Sequence, residues 1–213
     1  MAYALPNGST FEIASALAAS KTVTVATNAS PPLLTSTAHG LVTGDYIVLT
    51  SGWGKLNNRV FRITIGTAND FTLQGVDTTS TTVYPAGQGI GSFKKITTWV
   101  PISQITEVSF SGGEQQFLTF AFLEDADEKQ MPTSKSAISM TLTVADDPSL
   151  PYVTVVEAAD VDLQPRPLKL NLATGAVMAY NAIVSITSTP TVTRDELMTR
   201  SISLSLQSRP TRI

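Results

Sequence analysis

Residues Ser136–Asp146 read SAISMTLTVAD. Ile138, Met140, Leu142 and Val144 share one parity, while Ser139, Thr141 and Thr143 take the other. Successive side chains of an extended strand point to opposite faces. The stretch therefore predicts a strand with its apolar parity buried and its hydroxyl parity facing out. The same period recurs around it. RPLKLNL puts Leu168, Leu170 and Leu172 on one face, and VMAYNAIVSIT does so with Met178, Tyr180, Ala182, Val184 and Ile186. RSISLSLQ repeats it with Ile202, Leu204 and Leu206. QQFLTFAF sets Leu118, Phe120 and Phe122 against Phe117, Thr119 and Ala121. Period two over so many segments predicts antiparallel sheets, each with one buried face.

One segment departs from this rule. In DDPSLPYVTVVEAADVDL the residues Tyr152, Val155, Val156 and Ala159 recur at helical spacing. Asp147 or Ser149 is placed to cap, and Pro151 suits a first turn. Pro165 and Pro167 forbid continuation. One amphipathic helix is predicted near residues 150–160, packed on the sheets.

Composition sets further bounds. The chain has 213 residues, no cysteine and a net charge of −3. Disulfides and thiolate chemistry are thereby excluded. No apolar run approaches the ~18 residues of a membrane-spanning helix, so no membrane insertion is expected. The Ala-x-Ala pattern in ASALAAS lacks a preceding basic region, which argues against a cleaved leader and for a protein kept in the cytoplasm. No Lys/Arg cluster offers the counter-charge that groove binding to nucleic acid requires.

Texture divides the chain. Residues 21–92 are rich in Thr, Gly and Val and carry four basic and three acidic residues, net +1, whereas the remainder carries ten basic and fourteen acidic residues, net −4. The first block reads as an inserted small β-module, with residues 1–20 and 93–213 forming a discontinuous domain around it. KTVTVAT places Val23 and Val25 on one face, DYIVLT is apolar enough for burial on both faces, and RVFRITI and DFTLQG alternate. The single histidine sits in AHGLVTGDYIVL. Gly40 and Gly44 permit positive φ, and Asp45 can accept local amide bonds, so His39 is read as a turn residue whose ring caps backbone groups. No second histidine and no cysteine can complete a metal site.

Other candidate sites weaken on inspection. LEDADEKQ gathers Glu124, Asp125, Asp127 and Glu128. A calcium loop of EF-hand type needs a central glycine, and none is present. A solvated loop between two strands fits better. AGQGIGSF runs into the strand-like FKKITTWV, not into a helix as a dinucleotide fingerprint requires. It reads as a flexible exit from the insert. Trp53 and Trp99 suit packing or an interface as well as ligand stacking. No catalytic residues, cofactor or metal are expected.

The run TVTRDELMTRSISLSLQSRPTRI resembles the closing strand and tail of tail tube (major tail) proteins of long-tailed, siphovirus-type phages. FLEDADEKQMPTSKSAISMTLTVADDP, a polar loop returning into an alternating strand before a helix, resembles the same family. The likeness covers about 1–20 and 93–213. It implies a mainly β fold of two packed antiparallel sheets, in a sandwich or barrel, with one flanking helix. It also implies a non-enzymatic virion protein whose hexameric rings stack into a non-contractile tube, assembled in the host cytoplasm. Partners implied are further copies of the chain, terminator, tape measure and tail-tip proteins, and double-stranded DNA passing without sequence-specific binding. Within that frame Glu124, Asp125, Asp127 and Glu128 are expected at ring-to-ring contacts, Glu107 and Glu114 facing the lumen, and the 21–92 module on the tube exterior. A carbohydrate-binding or adhesion module of a tail fibre is the competing expectation.

Overall fold

The computed structural model describes residues 7–213. Every strand pairing among them is antiparallel. In chain order the strands begin with β1 (Thr10–Leu17), β2 (Lys21–Val23), β3 (Val25–Ala26), β4 (Leu33–Thr35), β5 (Tyr46–Ser51), β6 (Arg59–Ile65) and β7 (Asp70–Leu73). There follow β8 (Gly91–Ile102), β9 (Ile105–Ser111), β10 (Gln115–Phe120), β11 (Lys129–Lys135) and β12 (Ser139–Ala145). Then come α1 (Pro151–Asp162), β13 (Arg166–Asn171), β14 (Val177–Ile186), β15 (Thr199–Leu206) and β16 (Thr211–Arg212).

Fourteen strands join in one sheet, whose main path is β3-β4-β7-β6-β5-β8-β1-β13-β14-β15-β12-β9. Strand β8 is long enough to serve two bodies: Gly91–Lys95 pair with β5, and Ile96–Ile102 pair with β1. Gln104, at φ 58°, turns the chain from β8 into β9 on the far side of the main sheet. The sheet therefore curls around a shared core without closing. This core holds Ile13, Leu142, Leu168, Val184, Ile202 and Leu204, all at 0 % exposure. The parity read in SAISMTLTVAD is the parity found, with Met140, Leu142 and Val144 buried and Ile138 half-buried.

Helix α1 covers the core with Tyr152, Val153, Val156 and Ala159. Val153 takes a buried place that spacing alone gave to Val155, which is half-buried at the margin. The cap also differs from expectation. Leu150 is the N-cap without a side-chain bond, and Pro151 opens the helix. Asp147 is occupied instead by the Ser149 amide and hydroxyl. Leu163 ends the helix in the left-handed region, its N–H donating to the Ala159 carbonyl.

Residues 23–93 supply a second core, with Leu34, Ile47, Trp53, Phe61, Phe71 and Phe93 among its members. Val23 is buried there but Val25 is 46 % exposed, because the chain leaves β8 at Thr24 and pairs next with β4. Between the two cores lies a third cluster. Ala14, Val60, Ile96 and Ala179 are buried in it, flanked by Leu17, Tyr46, Val48 and Trp99. This is why DYIVLT is apolar at nearly every position: Ile47 and Leu49 face the small core, Tyr46 and Val48 the junction.

Candidate assembly surfaces

His39 lies in the turn the sequence predicted and is 4 % exposed. Its Nδ1 accepts the Leu41 amide at 3.0 Å, so Nε2 carries the proton and donates to the Thr67 carbonyl at 3.1 Å. The ring meets Phe71 edge-on at 5.5 Å. Asp45 accepts the Val42 amide and pairs with Lys95 at 2.6 Å. Every polar atom of the imidazole is thus spent on backbone. The glycines of AGQGIGSF also prove structural. A Cβ on Gly91 would lie 2.0 Å from the Thr50 carbonyl oxygen, and one on Gly89 would lie 2.8 Å from Trp53. They permit close packing where the sequence suggested a flexible exit. Trp53 is buried, with Nε1 donating to the Pro85 carbonyl at 2.8 Å.

Strands β9 and β12 continue past the main sheet as a second ribbon, β10 paired with β11. Gly112 and Gly113 mark the change of direction, both at φ +84°. A Cβ on Gly112 would overlap the Ala137 carbonyl oxygen at 1.8 Å, so only glycine allows this junction. The ribbon projects as an arm. Here the alternation in QQFLTFAF misleads, since neither face of β10 is covered. Phe117, Leu118, Phe122 and Met131 are all half or more exposed, and Leu123 is fully so.

Glu124, Asp125, Asp127 and Glu128 share the arm's tip, between β10 and β11. Asp125 organises it, accepting the Phe122 amide at 3.1 Å and pairing with Lys129 at 2.7 Å. The Lys129 ammonium first, and then the Phe122 amide, hold the Asp125 carboxyl below the usual range. Lys129 also stands 5.8 Å from the Phe122 ring. Glu124, Asp127 and Glu128 point to solvent. Glu114 is at the arm's base, exposed, with its backbone bonded to Ser136. Glu107 is on β9 opposite Thr143.

The outward face of the main sheet is divided. Over β8, β1 and the first half of β14 it is covered by Tyr46 and Val48 of β5, Val60 of β6 and the turn at Asn58. Beyond that it is open and carpeted with hydroxyls. One row runs Ser185, Ser203, Thr141, Ser109 across four strands. The next holds Ile183, Ser205, Ser139 and Ser111, with the last two hydroxyls 2.9 Å apart. The third holds Ser201, Thr143 and Glu107. Glu107 is the one charged residue in these rows. Sequence reading missed the surface as a unit because outward Ser and Thr look the same on any half-wet strand; only the register aligns them.

The described residues thus form a curled antiparallel sheet with an uncovered polar face and a projecting two-stranded arm. The chain belongs to the phage tail tube protein family, which it matches over residues 51–213. It is a structural component of the virion tail. The match begins at Ser51, so it takes in β6, β7 and every later element and leaves out β1–β4. Among solved structures, the tube-terminating cap of the anti-feeding prophage is similar at 21 % identity and a TM-score of 0.36, covering 49 % of this chain and 78 % of that one. The sheath–tube complex of the extracellular contractile injection system PVC, in its extended state, is similar at 15 % identity and a TM-score of 0.34, with the same coverage of 49 % and 78 %. No protein of curated function matches the chain.

Proposed function

We propose that this chain forms hexameric rings that stack into the hollow tube of a non-contractile tail, through which double-stranded DNA reaches the host. The observation that carries the reading is the open hydroxyl face of β14, β15, β12 and β9. Its rows hold one carboxylate and no cation. Duplex DNA binds where Lys and Arg neutralise phosphates and release counter-ions. A neutral to acidic wall withholds that interaction and lets the duplex slide. In this reading Glu107 and Glu114 face the channel. Among the described residues strand β9 has no strand on its second edge, a template for pairing with a neighbour that ring closure satisfies.

The main body, residues 1–20 and 93–213, forms the ring, and the 21–92 module sits on the tube exterior, since a duplex-wide channel has no room for six such modules. Glu124, Asp125, Asp127 and Glu128, at the end of the arm, lie at ring-to-ring contacts. Assembly takes place in the host cytoplasm, with terminator, tape measure and tail-tip proteins as further partners.

Electron microscopy of the purified chain tests this, alone and with tail-initiating components. Tubes with a central channel are expected, and monomers at every concentration overturn the reading. Deleting 124–130 is expected to leave the fold intact, by circular dichroism, while abolishing long tubes. Charge reversal of Glu107 and Glu114 to lysine is expected to slow DNA ejection.

A further inference from the structure

Arg62 on β6 departs from the other arginines that the fold half-buries. Arg59 is bonded to the Pro210 carbonyl, Arg166 pairs with Asp162, and Arg200 pairs with Asp146 and Glu157. Arg62 enters no ion pair among the described residues, and its Nε is buried without an acceptor. A guanidinium held in this way retains all its donors for a ligand. It lies over Gly44, with Nη2 3.6 Å from the place a Cβ would take. Gly44 forms the rim of a cleft of about 360 Å³, which Asp45, Tyr46, Lys95, Trp99 and Lys169 also line.

The cleft joins an apolar corner to charged groups. Tyr46 and Trp99 meet edge-on, with centroids 5.7 Å apart. The Lys169 ammonium stands 4.8 Å from the Trp99 ring and 5.5 Å from the Tyr46 ring, and Glu12 neutralises it at 3.1 Å. Asp45 neutralises Lys95 at 2.6 Å. The charge left uncompensated is that of Arg62. We propose that this cleft binds an acidic saccharide, with its carboxylate on Arg62 and a pyranose ring against the Tyr46–Trp99 corner. The guanidinium fork matches a carboxylate, and the aromatic walls cover the apolar face of the sugar. The two acid–lysine pairs offer both acceptors and donors to its hydroxyls. Single-stranded nucleic acid also combines stacking with cations, but it brings a phosphate with every nucleotide and needs a run of basic groups. One free cation beside two neutral pairs suits a ligand whose remaining polarity is hydroxyl. The site lies within one copy and stands apart from the tube reading.

The chain has two tryptophans, and Trp53 is buried, so Trp99 reports on the cleft. The test titrates the unmodified full chain with trigalacturonate and trimannuronate, followed by tryptophan fluorescence and calorimetry. A saturable change is expected with at least one of them. Arg62→Gln should weaken it by at least about tenfold, with an unchanged circular dichroism spectrum. Arg62→Lys, which keeps the charge but loses the fork, should fall between the two. Maltotriose, which has the hydroxyls without the carboxylate, should bind at least about tenfold more weakly than the acidic trimer. Silence with both acidic trimers overturns the site. Equal binding of maltotriose, or full binding by a folded Arg62→Gln chain, removes the arginine from it. Inorganic phosphate that competes as tightly as the trimers bind would leave an anion hole with no saccharide specificity, and tighter binding of oligothymidylate would make the ligand a nucleic acid; either result overturns the proposal.

Discussion

Asn181 on β14 donates from Nδ2 to the Asn58 carbonyl at 2.9 Å, joining the main sheet to the turn that opens β6. The Ser208 hydroxyl reaches the same carbonyl at 2.9 Å. Asn58 itself is at φ 56°, a conformation that asparagine tolerates better than most residues. Strands β5 and β6 are thus fastened to β14 by hydrogen bonds as well as by the apolar cluster around Ala14 and Ala179.

This fastening sets the outcome of removing the module. Joining Ser20 to Phe93 through a short Gly/Ser linker uncovers Ala14, Ile96 and Ala179, removes the Tyr46 ring that meets Trp99 edge-on, and strips β5 from β8. The shortened chain should fold on its Tyr152-centred core but lose on the order of 3–5 kcal/mol of stability, from the exposed apolar area. Urea melts with microscopy check this. Rings are expected to persist; a folded product that makes none would move the module into the ring interface.

Arg59 holds the C-terminal tail. Its guanidinium donates to the Pro210 carbonyl and the Thr211 hydroxyl, both at 3.1 Å, and stands 5.2 Å from the Phe61 ring. Burial pulls its pKa below the ordinary value. Arg59→Ala leaves these acceptors without their donor and should cost about 1–3 kcal/mol. Amide exchange should quicken at Ile213 and Val177, which bond each other at 2.9 Å where β16 meets β14. Unchanged exchange there would show that β16 holds without the arginine.

His39→Ala removes two hydrogen bonds from a buried turn. A stability loss of about 1–3 kcal/mol is expected, read as a lower urea midpoint at constant slope. Assembly should be unaffected, and a variant that folds but makes no tubes would reopen a functional role for the ring.

Alkaline pH should destabilise the fold. Burial raises the Tyr180 phenol from 10.0 to about 12, and burial also raises Tyr46 and Tyr152. The folded state holds these protons more tightly than the unfolded chain. The resulting stability is full below pH about 10 and is lost as the pH climbs toward about 12. Urea midpoints across that window should fall, and Tyr180→Phe should flatten part of the decline. A midpoint that stays level would show that the phenol reaches solvent.

The local patterns in the chain determined its elements. Alternation determined β12, β14 and β15, and i, i+3, i+4 spacing followed by two prolines determined α1. The residues around His39 determined its turn, because glycines at positive φ and a carboxylate three residues from its amide partner act within a few bonds. What covers each face was decided only by the tertiary structure. β10 and β12 carry the same alternation, yet Leu142 is buried and Leu118 is open, because parity states which side chains share a face and says nothing of what packs on it. On β14 the second parity reads Ala179, Asn181, Ile183, Ser185; the first two are buried and the last is exposed. The difference comes from residues more than 80 positions distant in sequence, which lie over one half of the strand and leave the other half bare. Burial of that kind is a long-range contact, and a strand's own sequence encodes only its periodicity.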